Sequence, residues 1–305
     1  MDVAITGASG LIGSALVPAL RRDGHRVVRV VRVVRGDAGG TDTLRWDPAA
    51  GTIDAAGLEG VGGVVHLAGV GIGDKKWSPE RKREIRESRT RGTTVLCDAL
   101  AALSSKPAVL VSASGVDYYG AHGDEPLTED SPAGDGFLAE VCREWEAATA
   151  RAEQAGIRVV RMRTGPVLSA DGGVLKRMLF PFKAGLGGRI GTGKQWMSWI
   201  SIVDHLGAIR HVLDHQDVSG PVNSTAPTPV TNAEYTKTLG TVVRRPTAIP
   251  TPITPLKVLY GMELVHSLLL TGQRVLPKRL LDTGYRFEHP ELEPALRALL
   301  KKPAA

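Results

Sequence analysis

The stretch VAITGASGLIGSALVPAL, residues 3–20, decides the fold of this chain. An apolar run leads into a G-x-x-G-x-x-G motif made by Gly7, Gly10 and Gly13, and the motif opens into a segment with the apolar spacing of a helix. Glycines at these positions let the backbone turn tightly and approach a pyrophosphate, whose charge is stabilised by the N–H groups at the helix N-terminus. Strand, glycine turn and helix in this order predict a dinucleotide-binding unit.

The pattern after this unit is that of a doubly wound sheet. Strands are predicted in DVAIT, RVVRVV, GVVHLA, AVLVSA and IRVVRM, and helices over residues 79–103 and 137–156. Strands that alternate with helices of this length form parallel βαβ units with helices on both faces. We therefore predict an α/β Rossmann-type fold with a dinucleotide-binding domain over residues 1–168, to which a segment near 195–225 returns, and a smaller substrate-binding lobe made mainly of residues 169–305.

The composition is that of a globular protein with a buried core. Of the 305 residues, 42% are hydrophobic and 23% are charged, and the formal net charge is +6. Basic residues are mixed with acidic ones, as in SPERKREIRESRTRG, a pattern typical of a solvated surface that disfavours a nucleic-acid partner. The two cysteines have neither metal-ligand spacing nor the density of a disulfide scaffold, so we predict no metal site.

Two features predict a cytoplasmic protein. A strand pattern begins at residue 2, with no positively charged and apolar leader before it. The most apolar late stretch, LKVLYGMELVHSLLL (residues 256–270), is too short to cross a bilayer and carries Lys257 and Glu263.

The end of the second strand, HRVVRVVRVVRGD (residues 25–37), predicts which dinucleotide is bound. A site that prefers NAD has an Asp or Glu about 20 residues beyond the glycines, where it binds the ribose hydroxyls. Here Arg32 stands 19 residues after Gly13 (32 − 13 = 19), and Arg35 follows it. A guanidinium fork fits the 2′-phosphate that a carboxylate would repel, so NADP(H) is predicted, with Arg32 or Arg35 as the phosphate ligand. The alternative is that both arginines only line a loop.

Longer pieces of the chain point to a family. They include TGASGLIGSAL, VVHLAG, KKWSPERKREIRESRTRGT, SASGVDYYG, FLAEVCREWE, VVRMRTGPVLSADGGVLKRM and GLGGRIGTGKQWMSWISIVD. With these pieces the chain resembles, nearly end to end, the atypical extended short-chain dehydrogenases/reductases. The resemblance is to their epimerase-family branch, described as nucleoside-diphosphate-sugar epimerase-like or cell-division-inhibitor-like.

The resemblance implies positions for the cofactor. Those at the pyrophosphate would be Gly7, Ser9, Gly10, Leu11, Ile12 and Gly13. Those beneath the riboses would be Leu67, Ala68 and Gly69, and those beside the nicotinamide amide would be Gly165, Pro166 and Val167. Ser114 in SASG would match the serine of the wider superfamily that hydrogen-bonds a reacting oxygen.

The acid–base pair of the wider superfamily is missing. In that superfamily a helix tyrosine exchanges a proton with the substrate, and a lysine four residues later lowers the pKa of the tyrosine. When FLAEVCREWE is registered by Glu146, the tyrosine position holds Leu138 and the lysine position holds Cys142. The helix asparagine of the superfamily is replaced by Arg89. An enzyme of this sequence therefore needs another proton carrier.

Three replacements are possible on the residues alone. Tyr118 and Tyr119 follow Ser114 on the loop after the predicted strand AVLVSA, where a doubly wound sheet binds its ligand. Asp117 shares that loop at a position where this branch commonly has glycine, and Glu140 lies on the helix itself. Our hypothesis is that Tyr118 or Tyr119 is the acid, with Arg89 as electrostatic support. The alternative is that both tyrosines only pack.

The stretch GGRIGTGK, residues 187–194, has the spacing of a nucleotide-triphosphate loop. Gln195 follows the lysine where that motif needs a hydroxyl for Mg²⁺, and no apolar strand precedes it, so the triphosphate interpretation is rejected. We predict instead a loop that faces the substrate, because it combines donors with flat apolar surface. Its predicted substrate contacts are Lys194, Gln195, Trp196 and Trp199. Tryptophans packed in the interface between lobes are the alternative.

These observations predict an NADP(H)-dependent oxidoreductase or epimerase that acts on a carbonyl or hydroxyl carbon of a small molecule, nucleotide sugars included. The protein would supply orientation and charge for a hydride transfer. The competing hypothesis is a non-catalytic NADP(H)-binding protein that senses redox state or scaffolds a partner, and the missing relay favours it. The residues leave the oligomeric state open, with a homodimer as one option.

Overall fold

The computed structural model describes residues 1–32 and 42–301. Arg35 therefore lies outside the described residues. Within them the strands are β1 Asp2–Thr6, β2 Arg26–Arg32, β3 Thr43–Asp47, β4 Thr52–Ile53, β5 Gly63–His66, β6 Val109–Gly115, β7 Pro126–Leu127, β8 Arg158–Thr164, β9 Val167–Leu168, β10 Trp196–Met197, β11 Ile200–Ser201, β12 Gly220–Ser224, β13 Val230–Thr231 and β14 Arg274–Val275.

The helices alternate with these strands in the first half of the chain and dominate the second half. They are α1 Leu11–Arg22, α2 Pro79–Ala102, α3 Phe137–Ala147, α4 Ala150–Gln154, α5 Gly173–Lys183, α6 Ile202–Asp214, α7 Asn232–Val243, α8 Ile253–Tyr260, α9 Met262–Val265, α10 Lys278–Asp282 and α11 Leu292–Leu300. Short 3₁₀ turns cover Ala56–Leu58 and Val116–Tyr119. A π-helical turn covers His266–Leu270.

One large sheet organises the molecule. Its eight strands have the order β12-β8-β6-β5-β1-β2-β3-β4, and every pairing is parallel except that of β3 with β4. The chain moves outward from β1 to β2 and β3, and then crosses to β5 on the other side of β1. This is the switch point of a doubly wound sheet, where the carboxyl ends of the strands form a crevice for a ligand. The predicted Rossmann-type fold is confirmed.

Helices cover both faces of the sheet, which explains why its central strands are apolar on both sides. On one face, α1 and α6 pack on a core that includes Val3, Ile5 and Val65. On the other face, α2 and α4 pack on a core that includes Ala4 and Val64. Neighbouring residues of one strand thus belong to different cores, as the alternation of side chains along a strand requires.

The second half of the chain forms a separate apolar cluster from α5, α7, α11 and nearby short strands. Its largest fully buried side chains are Trp199 and Tyr235. The short strands that frame it pair locally, β10 with β13 and β11 with β9. Residues 220–224 leave this region and add β12 to the edge of the main sheet beside β8.

One predicted helix is divided in two. The sequence predicts a single helix over residues 137–156, but α3 ends at Ala147 and α4 begins at Ala150. The Thr149 hydroxyl donates to the carbonyl of Glu146 at 2.7 Å and accepts from Arg161 Nε at 3.0 Å. A buried threonine that bonds the backbone three residues earlier competes with the helical hydrogen bonds at this point.

Candidate dinucleotide and proton-transfer site

The glycine turn after β1 is so tight that two of its glycines have no room for a side chain. Gly7 has a φ of +69°, and a Cβ there would stand 2.8 Å from the carbonyl carbon of Leu67. A Cβ at Gly13 would stand 2.3 Å from the carbonyl oxygen of Gly7. Both distances are well inside van der Waals contact. The glycines thus bring the start of α1 against the turn and against the loop after β5.

The N-terminus of α1 is suited to an anion. Its N-cap residue is Gly10, no described side chain caps the helix, and its first turn has no acidic residue. Ser9 and Gly10 are exposed, whereas the apolar side chains of Leu11 and Ile12 are partly buried. The unsatisfied N–H groups and the positive end of the helix dipole are therefore available to a phosphate group.

A chain of hydrogen bonds attaches the second predicted cofactor segment to this turn. The Thr6 hydroxyl accepts from the backbone N–H groups of Leu67 at 3.1 Å and Ala68 at 3.2 Å, and lies 2.7 Å from His66 Nδ1. On the other side of the ring, His66 Nε2 lies 3.0 Å from the hydroxyl of Thr93. The Thr93 hydroxyl donates to the carbonyl of Arg89 at 2.6 Å.

These contacts determine the protonation of His66. Because the Thr93 hydroxyl donates to Arg89, it accepts from Nε2–H, and Nδ1 then accepts from the Thr6 hydroxyl. Complete burial lowers the pKa of His66 to about 4, so the ring is neutral near pH 7. No sequence motif points to Thr6, His66 or Thr93. The signal that could have found them is that Thr6 and His66 end adjacent parallel strands and face each other in register.

The third predicted cofactor segment follows β8 at the same edge of the sheet. The backbone N–H of Gly165 donates to the backbone carbonyl of Ser224 at 3.1 Å. A Cβ at Gly165 would stand 1.8 Å from the carbonyl oxygen of Ser198, so only glycine allows this approach. Pro166 and Val167 are partly buried, and Val167 begins β9. The glycine turn, residues 67–69 and residues 165–167 therefore all lie at the carboxyl edge of the sheet.

Arg32 is the last residue of β2, and its side chain is exposed. Because β2 is parallel to β1, its carboxyl end lies at the edge that carries the glycine turn. Arg29, the charge in the middle of the strand, is also exposed and lies on the opposite face, since their separation of three residues is odd. The position of Arg32 fits a contact with the 2′-phosphate of an adenine ribose.

Ser114 belongs to a buried ion-pair network behind the crevice. Its hydroxyl donates to Glu146 Oε1 at 2.8 Å. The same carboxylate accepts two bonds from Arg163, Nε to Oε1 at 2.8 Å and Nη2 to Oε2 at 2.9 Å. Ser114 is 5% exposed and Arg163 is 3% exposed. This placement favours a structural role for Ser114 over the predicted contact with a reacting oxygen.

The two tyrosines of the loop differ in their surroundings. Tyr119 is fully buried; its hydroxyl donates to Asn223 Oδ1 at 2.7 Å and accepts from Arg163 Nη1 at 3.0 Å. Burial raises the pKa of Tyr119 to about 12, and the neighbouring Arg163 offsets part of that effect. Tyr118 is only partly buried, and the Cζ atom of Arg163 lies 3.4 Å from its ring centroid. For Tyr119 this geometry favours the packing alternative.

The Arg89 side chain is held in place by two backbone carbonyls. Its Nη1 donates to the carbonyl of Ile85 at 3.1 Å and its Nη2 to the carbonyl of Val70 at 3.0 Å. Its Cζ lies 5.1 Å from the ring centroid of Trp145, and a Cβ built on Gly69 would stand 3.5 Å from it. The guanidinium is thus fixed directly beside the loop after β5.

The positions of the missing pair are apolar. Leu138 is buried in a cluster that includes Trp77, Ile85 and Leu264. Cys142 is buried, and burial raises the pKa of its thiol to about 12.

Asp117 lies close to Cys142. The Cys142 Sγ and the Asp117 Oδ2 stand 3.6 Å and 3.4 Å from the point where a Cβ of Gly115 would be. Burial raises the pKa of Asp117 to about 6, and the charge of Arg89 partly offsets this.

Glu140 lies away from this crevice. It is exposed on α3, where its Oε2 accepts from Arg86 Nη2 at 3.1 Å, and Glu144 pairs with the same arginine at 3.4 Å. Among the described residues, no group of three or more His, Cys, Asp and Glu side chains could hold a metal ion.

The predicted substrate loop is divided between surface and core. Lys194 is exposed. Gln195 donates to the carbonyls of Ile190 at 3.0 Å and Leu269 at 2.7 Å. Trp196 is partly buried, and its indole N–H donates to Asp124 at 2.8 Å.

Trp199 differs from the rest of this loop. It is fully buried in the second-half cluster, with its indole N–H donated to the carbonyl of Thr228 at 3.1 Å. This position favours the packing alternative for Trp199 and leaves Lys194, Gln195 and Trp196 as the candidate contacts.

Comparison with known proteins assigns the family. The NAD dependent epimerase/dehydratase family matches residues 3–224, and a domain of unknown function, DUF1731, matches residues 251–299. The chain belongs to the NAD dependent epimerase/dehydratase family. The resemblance to the atypical extended short-chain dehydrogenases/reductases is thereby confirmed.

Several epimerase-family proteins resemble the chain over its whole length. The epimerase family protein Mb2239 of Mycobacterium bovis is 44% identical over 301 residues, which cover 99% of this chain and 98% of the relative. The crystal structure of the human epimerase family protein SDR39U1 (isoform 2) with NADPH is 35% identical, with a TM-score of 0.88 and coverage of 98% of this chain and 99% of that one.

A more distant structure shares the fold. The UDP-glucose 4-epimerase of Thermotoga maritima, crystallised with UDP-glucose, has a TM-score of 0.74 at 16% identity, with coverage of 97% of this chain and 96% of that one. Within the described residues of this epimerase-family chain, no helix has both the length and the apolar character needed to cross a membrane.

Proposed function

We propose that this protein is an NADP(H)-dependent oxidoreductase or epimerase that acts on a carbonyl or hydroxyl carbon of a small molecule. The observation that carries the proposal is the crevice at the switch point. There the uncapped α1 N-terminus, the tight glycine turn and Arg32 lie along one edge of the sheet. The human relative crystallised with NADPH, 35% identical to this chain, supports the same cofactor.

The residues of the crevice fit a phosphorylated dinucleotide. The α1 N-terminus with Ser9 and Gly10 would bind the pyrophosphate, and Arg32 or Arg35 the 2′-phosphate. Residues 67–69 would lie beneath the riboses and residues 165–167 beside the nicotinamide. When bound, the nicotinamide supplies a hydride donor or acceptor. The protein must orient the substrate, exclude water and carry one proton.

The proton would come from residues 114–119, which form the end of β6 and the turn after it, because this segment lies at the carboxyl edge of the sheet beside Arg89. Lys194, Gln195 and Trp196 would contact the far end of the substrate. A nucleotide sugar is one candidate, since the loop combines donors with an aromatic surface.

Arg32 gives the first test. We expect calorimetry to show tighter binding of NADPH than of NADH, and Arg32→Asp to weaken NADPH binding about 10- to 100-fold, because a charge-assisted hydrogen bond to the 2′-phosphate is lost. Arg29→Asp is the matched control, since it changes an exposed arginine on the opposite face of the same strand. Preferential binding of NADH by the wild type would reject the cofactor assignment. An unchanged NADPH affinity in Arg32→Asp would move the phosphate contact away from Arg32.

A second function has one observation in its favour. Leu138 and Cys142 are buried and apolar where the superfamily carries its acid–base pair, which suits a non-catalytic NADP(H)-binding protein. A screen of ketones, aldehydes and nucleotide sugars that follows NADPH absorbance distinguishes the two functions. Turnover of any member supports the enzyme. Tight NADPH binding with no turnover across the panel supports the sensor.

A further inference from the structure

We infer that Asp117 is the residue that exchanges a proton with the reacting oxygen, in place of the missing tyrosine. This inference rests on the proposed function. Asp117 lies in the 3₁₀ turn Val116–Tyr119, directly after the carboxyl end of β6. Its carboxylate lies near the position of the missing lysine, because Asp117 Oδ2 and Cys142 Sγ stand 3.4 Å and 3.6 Å from the same point, where a Cβ of Gly115 would be.

The surroundings of Asp117 suit a proton carrier. Among the described residues no side chain donates a hydrogen bond to its carboxylate, which is held only by the N–H of its own backbone and attracted by the charge of Arg89. Two other elements present charged or titratable groups to it, namely Arg89 from α2 and Cys142 from α3. Arg89 is the cation among them, and it is anchored to two backbone carbonyls.

The contacts of the other candidates, Tyr118 apart, count against them. Ser114 and Tyr119 are buried, and their hydroxyls are held by Glu146 and Asn223. The Cys142 thiol has a pKa too high for proton exchange near neutrality, whereas burial brings the pKa of Asp117 to about 6, inside the working range of a general acid or base. Glu140 is exposed and paired with Arg86. Tyr118 is the remaining alternative to Asp117 as the proton carrier. The guanidinium of the buried Arg163 stacks on its ring.

In the reducing direction the carbonyl carbon gains a hydride from the reduced nicotinamide, the C=O π bond breaks, and the carbonyl oxygen takes the proton of the Asp117 carboxyl. The products are the alcohol, the oxidised nicotinamide and the Asp117 carboxylate, which is reprotonated from solvent. In the oxidising direction the carboxylate accepts the hydroxyl proton while the hydride leaves the carbinol carbon.

The first experiment separates chemistry from binding. Asp117→Asn preserves the shape of the side chain, so we expect NADPH affinity within about twofold of wild type and a turnover number at least about 100-fold lower on any carbonyl substrate of the wild type. Asp214→Asn is the matched control, because this exposed carboxylate lies beside Met1 and Gly62 at the amino edge of the sheet. Full turnover by Asp117→Asn overturns the inference while the proposed function stands.

The second experiment needs no substrate. The Asp117 carboxyl carbon is followed by ¹³C NMR titration in the complexes with NADPH and with NADP⁺. A carboxylate beside the reacting carbon senses the positive charge of the oxidised ring, so its pKa should be lower with NADP⁺ by about one pH unit. Arg89→Met should raise the pKa of Asp117 in both complexes, because it removes the cation that favours the carboxylate.

The titration tests the position of Asp117 separately from the turnover screen. Equal pKa values of Asp117 in the two complexes would place the carboxylate away from the nicotinamide and overturn the inference, whatever the turnover screen shows. A pKa that differs between the complexes, in a protein with no turnover on the panel, would support the position of Asp117 and count against the proposed function only.

Discussion

Arg163 joins several groups behind the crevice. It binds Glu146 through two bonds, donates to the Tyr119 hydroxyl and stacks on the Tyr118 ring. Removing one partner of a buried pair leaves an uncompensated charge in a poorly solvated place, and this costs more than the pair itself contributes. At the scale of single residues, therefore, this network determines where the loop after β6 lies.

Glu146→Leu tests this role. We expect the variant to lose about 3–5 kcal/mol of unfolding free energy, because Arg163 is left buried without its carboxylate. Urea denaturation followed by circular dichroism measures the loss. Glu140→Leu is the control on the same helix; its pair with Arg86 is exposed, so the change should stay below about 1 kcal/mol. Equal effects of the two substitutions would contradict the network.

At the scale of elements, the unit of β1, glycine turn and α1 is positioned by contact between backbones. Gly13 places the first turn of α1 against the carbonyl of Gly7, and Gly7 lies against the loop after β5. The chain from Thr6 through His66 to Thr93 then attaches that loop to α2. Three elements that are distant in sequence thus share one set of hydrogen bonds beside the phosphate site.

Gly13→Ala should displace α1 from the turn. A Cβ at 2.3 Å from the Gly7 oxygen cannot be accommodated without movement of the backbone. We expect NADPH binding to weaken at least about tenfold and stability to fall by about 1–3 kcal/mol, in the range of overpacked sites. Gly123→Ala is the control, since a Cβ there meets no atom within 4 Å. Unchanged calorimetric affinity in Gly13→Ala would show that the turn does not position the phosphate site.

At the scale of the whole molecule, the free energy of unfolding depends on pH because His66 is buried in its neutral form. The pKa of His66 is about 4 in the fold and about 6.5 when it is solvated. Between these values the unfolded chain binds a proton that the folded chain does not. The contribution of His66 is therefore fully present above pH 6.5 and is lost as the pH falls toward 4.

The variant His66→Gln isolates this effect from other titrating groups. We expect the difference in unfolding free energy between wild type and variant to shrink as the pH falls from 7 to 4.5, by up to about 1.4 kcal/mol per pH unit. Urea titrations at four pH values measure it, with His266→Gln as an exposed control. A difference that does not change with pH would mean that His66 has the same pKa in the folded and the unfolded chain.

The sequence by itself determined the doubly wound sheet, the glycine turn and the family, because these depend on local patterns: apolar periodicity, glycines at fixed spacing and the order of strand and helix. Only the tertiary structure decided which side chains meet at the crevice. Successive side chains of a strand point to opposite faces of the sheet, so the position of Ser114 on β6 decides that its hydroxyl meets Glu146. Likewise Tyr119 meets Asn223, 104 residues away, and Asp117 meets Cys142 and Arg89 from two other helices. Such meetings depend on how the helices pack across the sheet, which no local pattern encodes.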